Sequence, residues 1–291
     1  MSPGMASDGR AVRCRTRAAG VSLIELITTM ALLAIVAALG ASLIAGVASG
    51  QRDAAERLNA TGAADGALRR FMREMQSALP NSVRVSAQGD DVFVEFVPVL
   101  DAGRYRAAVD VTASGPGDPL DIDDPADASF DVIGKPLSTT QGAWLVLQNL
   151  GDDLSDVYAG SNRRSGVGSS GGGTRLTFTP AGPWPSVTGS HRFFLVAMPV
   201  TYACVRQGDG SYRWLRYAQY GWSSTQASRV DAPPLAGVTP ALMLDHVQAC
   251  SFAYTPAFAN MGLLGARIAI STQEGAAPAS LMQQIAIDNT P

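Results

Sequence analysis

The residues able to carry chemistry are few. The chain of 291 residues has two histidines, His191 and His246, and three cysteines, Cys14, Cys204 and Cys250. It contains no CxxC pair and no HExxH pattern, which removes the usual zinc and iron–sulfur ligand sets. Lys135 is its single lysine, so Schiff-base and P-loop chemistry have almost nothing to use. Neither histidine belongs with a serine or cysteine in a recognised nucleophile motif, and both read as structural or surface residues. No catalytic residue is assigned, and the chain does not read as an enzyme. The acidic run Asp118, Asp121, Asp123, Asp124, Asp127 and Asp131 offers the oxygen ligands that calcium takes. It lacks EF-hand spacing, and Pro119 and Pro125 interrupt it, so a solvated loop is expected, with no metal or other cofactor. Gly166-Val167-Gly168-Ser169-Ser170-Gly171 fits the GxGxxG spacing, but a strand pattern, Thr174–Pro180, follows it where a nucleotide site needs a helix. The stretch Gly151–Gly173 is therefore expected to be a flexible surface loop.

One charge requires a partner. Leu26 to Gly50 carries no charged residue over 25 positions, a helix of about 37 Å against a hydrocarbon core of about 30 Å. Glu25 sits at the head of this stretch, where a carboxylate costs about 2.5–3.5 kcal/mol on insertion scales. Before it lie Arg10, Arg13, Arg15 and Arg17 against Asp8, a local balance of +3. Basic residues ahead of the span put the N-terminus on the cytoplasmic side and the rest of the chain across the membrane. A secretory signal peptide cut near Ala48-Ser49-Gly50 is one alternative, but signal h-regions run about 7–15 residues. A plain signal anchor is another, and neither explains Glu25.

The positioning elements follow from periodicity. Ala54, Leu58, Thr61, Ala64, Leu68, Met72, Met75 and Leu79 form one apolar stripe at helical steps, so the helix should continue from about Ile24 to Leu79 and end at Pro80-Asn81. Gly40, Gly46, Gly50, Gly62 and Gly66 weaken it, either as tolerated cost, as close packing through Gly62-xxx-Gly66, or as a stretch that unwinds on assembly. Strand patterns then occupy Val92–Val99, Tyr105–Val111, Ala143–Leu147, Arg175–Thr179, Phe193–Val200, Tyr212–Tyr220, Val247–Tyr254, Ala266–Ser271 and Gln284–Ile287. Together these predict an α+β fold, a long helix on a mostly antiparallel sheet, with one core and no internal repeat. Cys204 and Cys250 lie in strand patterns beyond the membrane, where disulfides persist; a bridge is expected, two buried thiols being the alternative. The net charge is −3, and without residues 1–20, which carry +3, it is −6; either value argues against nucleic-acid binding.

Gly20-Val21-Ser22-Leu23-Ile24-Glu25-Leu26 closely resembles the processing site of type IV prepilins and type II secretion pseudopilins. The resemblance implies cleavage after Gly20 by prepilin peptidase, N-methylation of Val21, and neutralisation of a neighbouring subunit's α-amino group by Glu25. Ser22 stands where the family usually has threonine. Further segments resemble the O-type minor pilins of mannose-sensitive haemagglutinin (MSHA) pilus systems: Leu79-Pro80-Asn81-Ser82-Val83-Arg84, Val200-Thr201-Tyr202-Ala203-Cys204, Ala249-Cys250-Ser251-Phe252-Ala253-Tyr254 and Asp288-Asn289-Thr290-Pro291 among them. This implies a pilin-like lollipop with a leader over 1–20, a transmembrane or fibre-core helix over 21–50, and over 51–291 the second half of the helix with a periplasmic β-rich head. The implied function is a non-catalytic minor pilin that helps prime or cap an MSHA-like type IV pilus. The implied partners are prepilin peptidase, other minor and major pilins and the inner-membrane assembly platform, with no nucleic acid. The implied location is the inner membrane, then the assembled fibre. The alternatives are a J-type pseudopilin of type II secretion, with the same layout, and a tip-displayed adhesin using Gly151–Gly173 and the acidic run.

Overall fold

The computed structural model describes residues 20–111, 115, 117–138, 140–185, 189–257, 260–271 and 278–290. The expected arginine-rich leader, except Gly20, lies outside them, and with it Cys14. The chain divides into two compact units, Met1–Ala55 and Glu56–Pro291.

One helix, α1, runs from Leu23 to Met75. Its apolar N-terminal half is long enough to cross a membrane, and none of that window is buried against the rest of the chain. Leu23, Ile24, Leu33, Leu43 and Ile44 are all at least 69% exposed, a surface that water does not tolerate and lipid or a fibre core does. In the second half the buried face is Ala64, Ala67, Leu68, Phe71, Met72 and Met75. The expected stripe is present from Ala64 onward, but Ala54 and Leu58 are exposed. No atom lies within 4 Å of a Cβ built on Gly62 or Gly66, so close packing inside this chain does not explain them.

α1 stops four residues short of Leu79. The Ser77 and Ala78 N–H groups donate to the Glu74 and Met75 carbonyls at 3.1 Å, tightening the last turn. Leu79 N–H then donates to Val97 O (2.8 Å) and Val99 N–H to Ser77 O (2.7 Å). The chain leaves the helix by pairing with an extended segment before Pro80 is reached.

The head contains two seven-stranded sheets, and every strand pair in them is antiparallel. The strands of the first, in chain order, are β1 (Arg84–Gln88), β2 (Asp91–Phe96), β10 (Val200–Arg206), β11 (Tyr212–Ala218), β12 (Ala241–Ala257), β13 (Met261–Ile270) and β14 (Ala279–Asp288). They lie side by side in that same order. The second sheet has the order β6-β5-β9-β3-β4-β8-β7. Its strands are β3 (Val99–Tyr105), β4 (Ser129–Ile133), β5 (Trp144–Leu147), β6 (Arg163–Arg164), β7 (Gly168–Ser170), β8 (Arg175–Thr177) and β9 (Arg192–Val196).

Two single strands expected from sequence, Val92–Val99 and Phe193–Val200, are each divided between the sheets. Pro98 separates β2 from β3, and Pro199 separates β9 from β10. Proline cannot donate to a ladder, so each marks the residue at which the chain changes sheet. The expected strand Tyr105–Val111 is displaced: β3 ends at Tyr105. Gly103 in β3 has no room for a side chain, since a Cβ there would meet the Phe193 ring at 2.8 Å.

The first core joins α1 to the first sheet. Phe71 meets Tyr202, Trp214 and Phe252 at ring-centroid distances of 4.8, 5.5 and 5.4 Å. The expectation of a single core is corrected here, because the second sheet buries its own cluster of Phe130, Leu145, Leu147, Leu176, Phe193 and Leu195. Leu79, Val97, Val146, Val157, Tyr158 and Val196 fill the place where the two sheets exchange strands. On the first sheet's other face, Ala227 and Leu235 cover Phe93, Ala203 and Tyr217.

Two carboxylates tie these layers and titrate in opposite directions. Glu74, on α1, is paired by Arg216 of β11 at 2.8 Å and by Arg70 at 3.2 Å. Burial pushes its carboxyl up, but the Arg216, Tyr202 and Arg70 contacts outweigh burial and hold it below the usual 4.5. Its contribution to stability is present above that value and is lost as pH falls through the depressed value. Glu95 is fully buried, with Arg84 at 2.7 Å and the Tyr220 hydroxyl at 2.8 Å. There burial wins over the arginine, so the carboxyl is raised, and acidification relieves its cost. Glu74→Gln is therefore expected to flatten the acid limb of the head's stability against pH below about 4.5, the usual carboxyl value. Equilibrium unfolding at pH 3.5 and pH 7 checks this; an unchanged difference between wild type and variant at the two pH values would refute it.

Candidate functional site

The start of α1 is built as a capped anionic helix end. Gly20 and Val21 are exposed, Val21 by 69%. Ser22 Oγ accepts from the Glu25 N–H at 3.2 Å, and Ser22 O accepts from Leu26 N–H at 3.1 Å. The spacing Ser22-x-x-Glu25 is that of a capping box, in which the serine hydroxyl satisfies an orphan helix donor. The first turn also favours a negative side chain through the helix dipole. Among the described residues, nothing donates to the Glu25 carboxylate. The Thr28 hydroxyl donates to Ile24 O at 3.0 Å and that of Thr29 to Glu25 O at 2.8 Å. Ser42 and Ser49 do the same to Leu39 O and Gly46 O. The stem's hydroxyls are thus satisfied by its own backbone, as an apolar surrounding requires. What remains at its head is one carboxylate free to meet a cation.

Cys204 and Cys250 are disulfide-bonded, with Cα atoms 6.5 Å apart. Cys204 lies on β10 and Cys250 on β12, so the bond ties two strands that both flank β11 and do not pair with each other. Cys204 is buried beside α1, facing the same core as Phe71.

The acidic run is spent on internal partners. Arg106 pairs with Asp110 and Asp131 at 3.4 Å, and Arg175 with Asp118 at 3.4 Å and Asp131 at 3.1 Å. Asp127 and Asp121 accept backbone N–H groups, from Asp121 at 2.7 Å and Asp123 at 3.1 Å. Among the described residues, no group of three His, Cys, Asp or Glu side chains could hold a metal ion. The Gly166–Gly171 stretch is not an open loop. Gly168–Ser170 forms β7, paired with Arg175–Thr177, and Gly171 turns the chain between them. The preceding residues bury Ser155, Val157, Tyr158, Asn162 and Arg164. His191 and His246 are both exposed; the His191 ring meets Tyr105 edge-on at 5.4 Å, and the His246 N–H donates to Asp245 Oδ1 at 2.9 Å.

Sequence reasoning missed a polar clasp at the exit of α1. Asn81 adopts a left-handed conformation (φ 58°). Its N–H donates to Asn289 Oδ1 at 3.1 Å, and its amide donates to Asn149 O at 2.9 Å and Asn289 O at 3.3 Å. Asn289 in turn donates to the Tyr254 hydroxyl at 2.8 Å, and Asn149 donates to Pro80 O at 2.8 Å. Asn81, Tyr254 and Asn289 come from three distant segments, and the fold brings them to one place. Nothing in their spacing announces it, because the pair is separated by 208 residues. Asn289→Ala is expected to destabilise the head by about 1–3 kcal/mol, the cost of stranding buried polar groups. Denaturant unfolding checks this, and a loss under about 0.5 kcal/mol would show that the clasp is ornamental.

No family model, curated protein or solved structure matches this chain.

Proposed function

We propose that the chain is a minor-pilin-like structural subunit, processed between Gly20 and Val21 by a prepilin peptidase and N-methylated on Val21. Its place is the inner membrane, N-terminus inside and head in the periplasm, and then an MSHA-like type IV pilus whose assembly it helps to prime or cap. Its partners in that role are other minor and major pilins and the inner-membrane assembly platform. The observation that carries this reading is the unpartnered Glu25 carboxylate at the head of the exposed apolar half of α1, five residues after Gly20. A carboxylate left without a donor in such a setting is tolerable when a cation reaches it, and the α-amino group of a neighbouring processed subunit is such a cation. The disulfide supports an oxidising compartment for the head.

Mass spectrometry of the membrane-extracted protein tests the reading. The expected mature N-terminus is N-methylated Val21. A terminus near Ser49 or Gly50 would mean a conventional signal peptide, and an intact leader would mean a plain anchor.

A further inference from the structure

We draw no further inference here: the strongest candidate, the open cleft of about 440 Å³ lined by Arg70, Arg73, Glu74 and Ser77 at the C-terminal end of α1, carries nothing, because both Glu74 carboxylate oxygens are already paired, with Arg70 and Arg216, Arg73 already suits the last turn of the helix, and nothing in the structure shows what covers the cleft.

Discussion

On the pilin-type reading proposed above, Glu25→Gln is expected to be processed and stable in the membrane yet to fail in recruitment to the fibre. The substitution removes the charge and leaves the helix start alone. The cap is made by the Ser22 hydroxyl and the Glu25 backbone N–H, so it and the start of α1 should survive. Insertion should be unharmed or easier, because a group costing about 2.5–3.5 kcal/mol in a membrane helix has lost its charge. Only the ionic partner is removed. Breaking a pair in low dielectric typically costs about 3–5 kcal/mol, or at least a hundredfold in recruitment. Co-purification with other pilin-type subunits, with a count of surface pili, measures it. Recruitment at the wild-type level would show that the carboxylate's charge is not an assembly contact. Glu25→Ala, which also keeps the backbone N–H bound to Ser22 Oγ, should behave as Glu25→Gln does.

Loss of the Cys204–Cys250 bond is expected to cost the head about 4 kcal/mol on the chain-entropy account of a cross-link closing a sequence separation of 46 residues. The bond holds β10 and β12 together around β11, so without it the unfolded chain gains freedom while the folded sheet keeps its ladders. A double Cys204→Ala, Cys250→Ala variant, compared with wild type in urea, gives the number. A difference below about 1 kcal/mol would show that the remaining contacts already confine the chain. Reduction of the wild type should reproduce the loss, and reduction of the variant should change nothing.

What was legible in the sequence follows from the range of each interaction. The long apolar helix and the stripe Ala64, Leu68, Met72, Met75 depend on residues a few positions apart, and they were readable. So was the disulfide, because both cysteines stand in strand patterns. The sheet assignment was not readable from alternation alone: a run such as Val92–Val99 is apolar through the residue where the chain changes sheet. Pro98 and Pro199 carried that signal and could have been read as boundaries. The cap at Ser22 was also within reach, since Ser-x-x-Glu before an apolar run is a known helix start. The salt bridges of Arg106 and Arg175 with the acidic run, and the Asn81–Asn289 clasp, join residues brought together only by the completed fold. No local pattern encodes them.

The clasp has a consequence for the order of events in the cell. Asn81 emerges as soon as the stem has been made, but the residue that closes on it follows 208 positions later. A contact of such separation forms late, since the intervening chain must be arranged before its ends can meet. The long helix is therefore complete while the head it carries is still open at its base. Truncation just before Asn289, or a bulky fusion placed directly after it, would act on the keystone of the head and not on a loose tail. Such a chain would be made in normal amounts and remain a target for proteases.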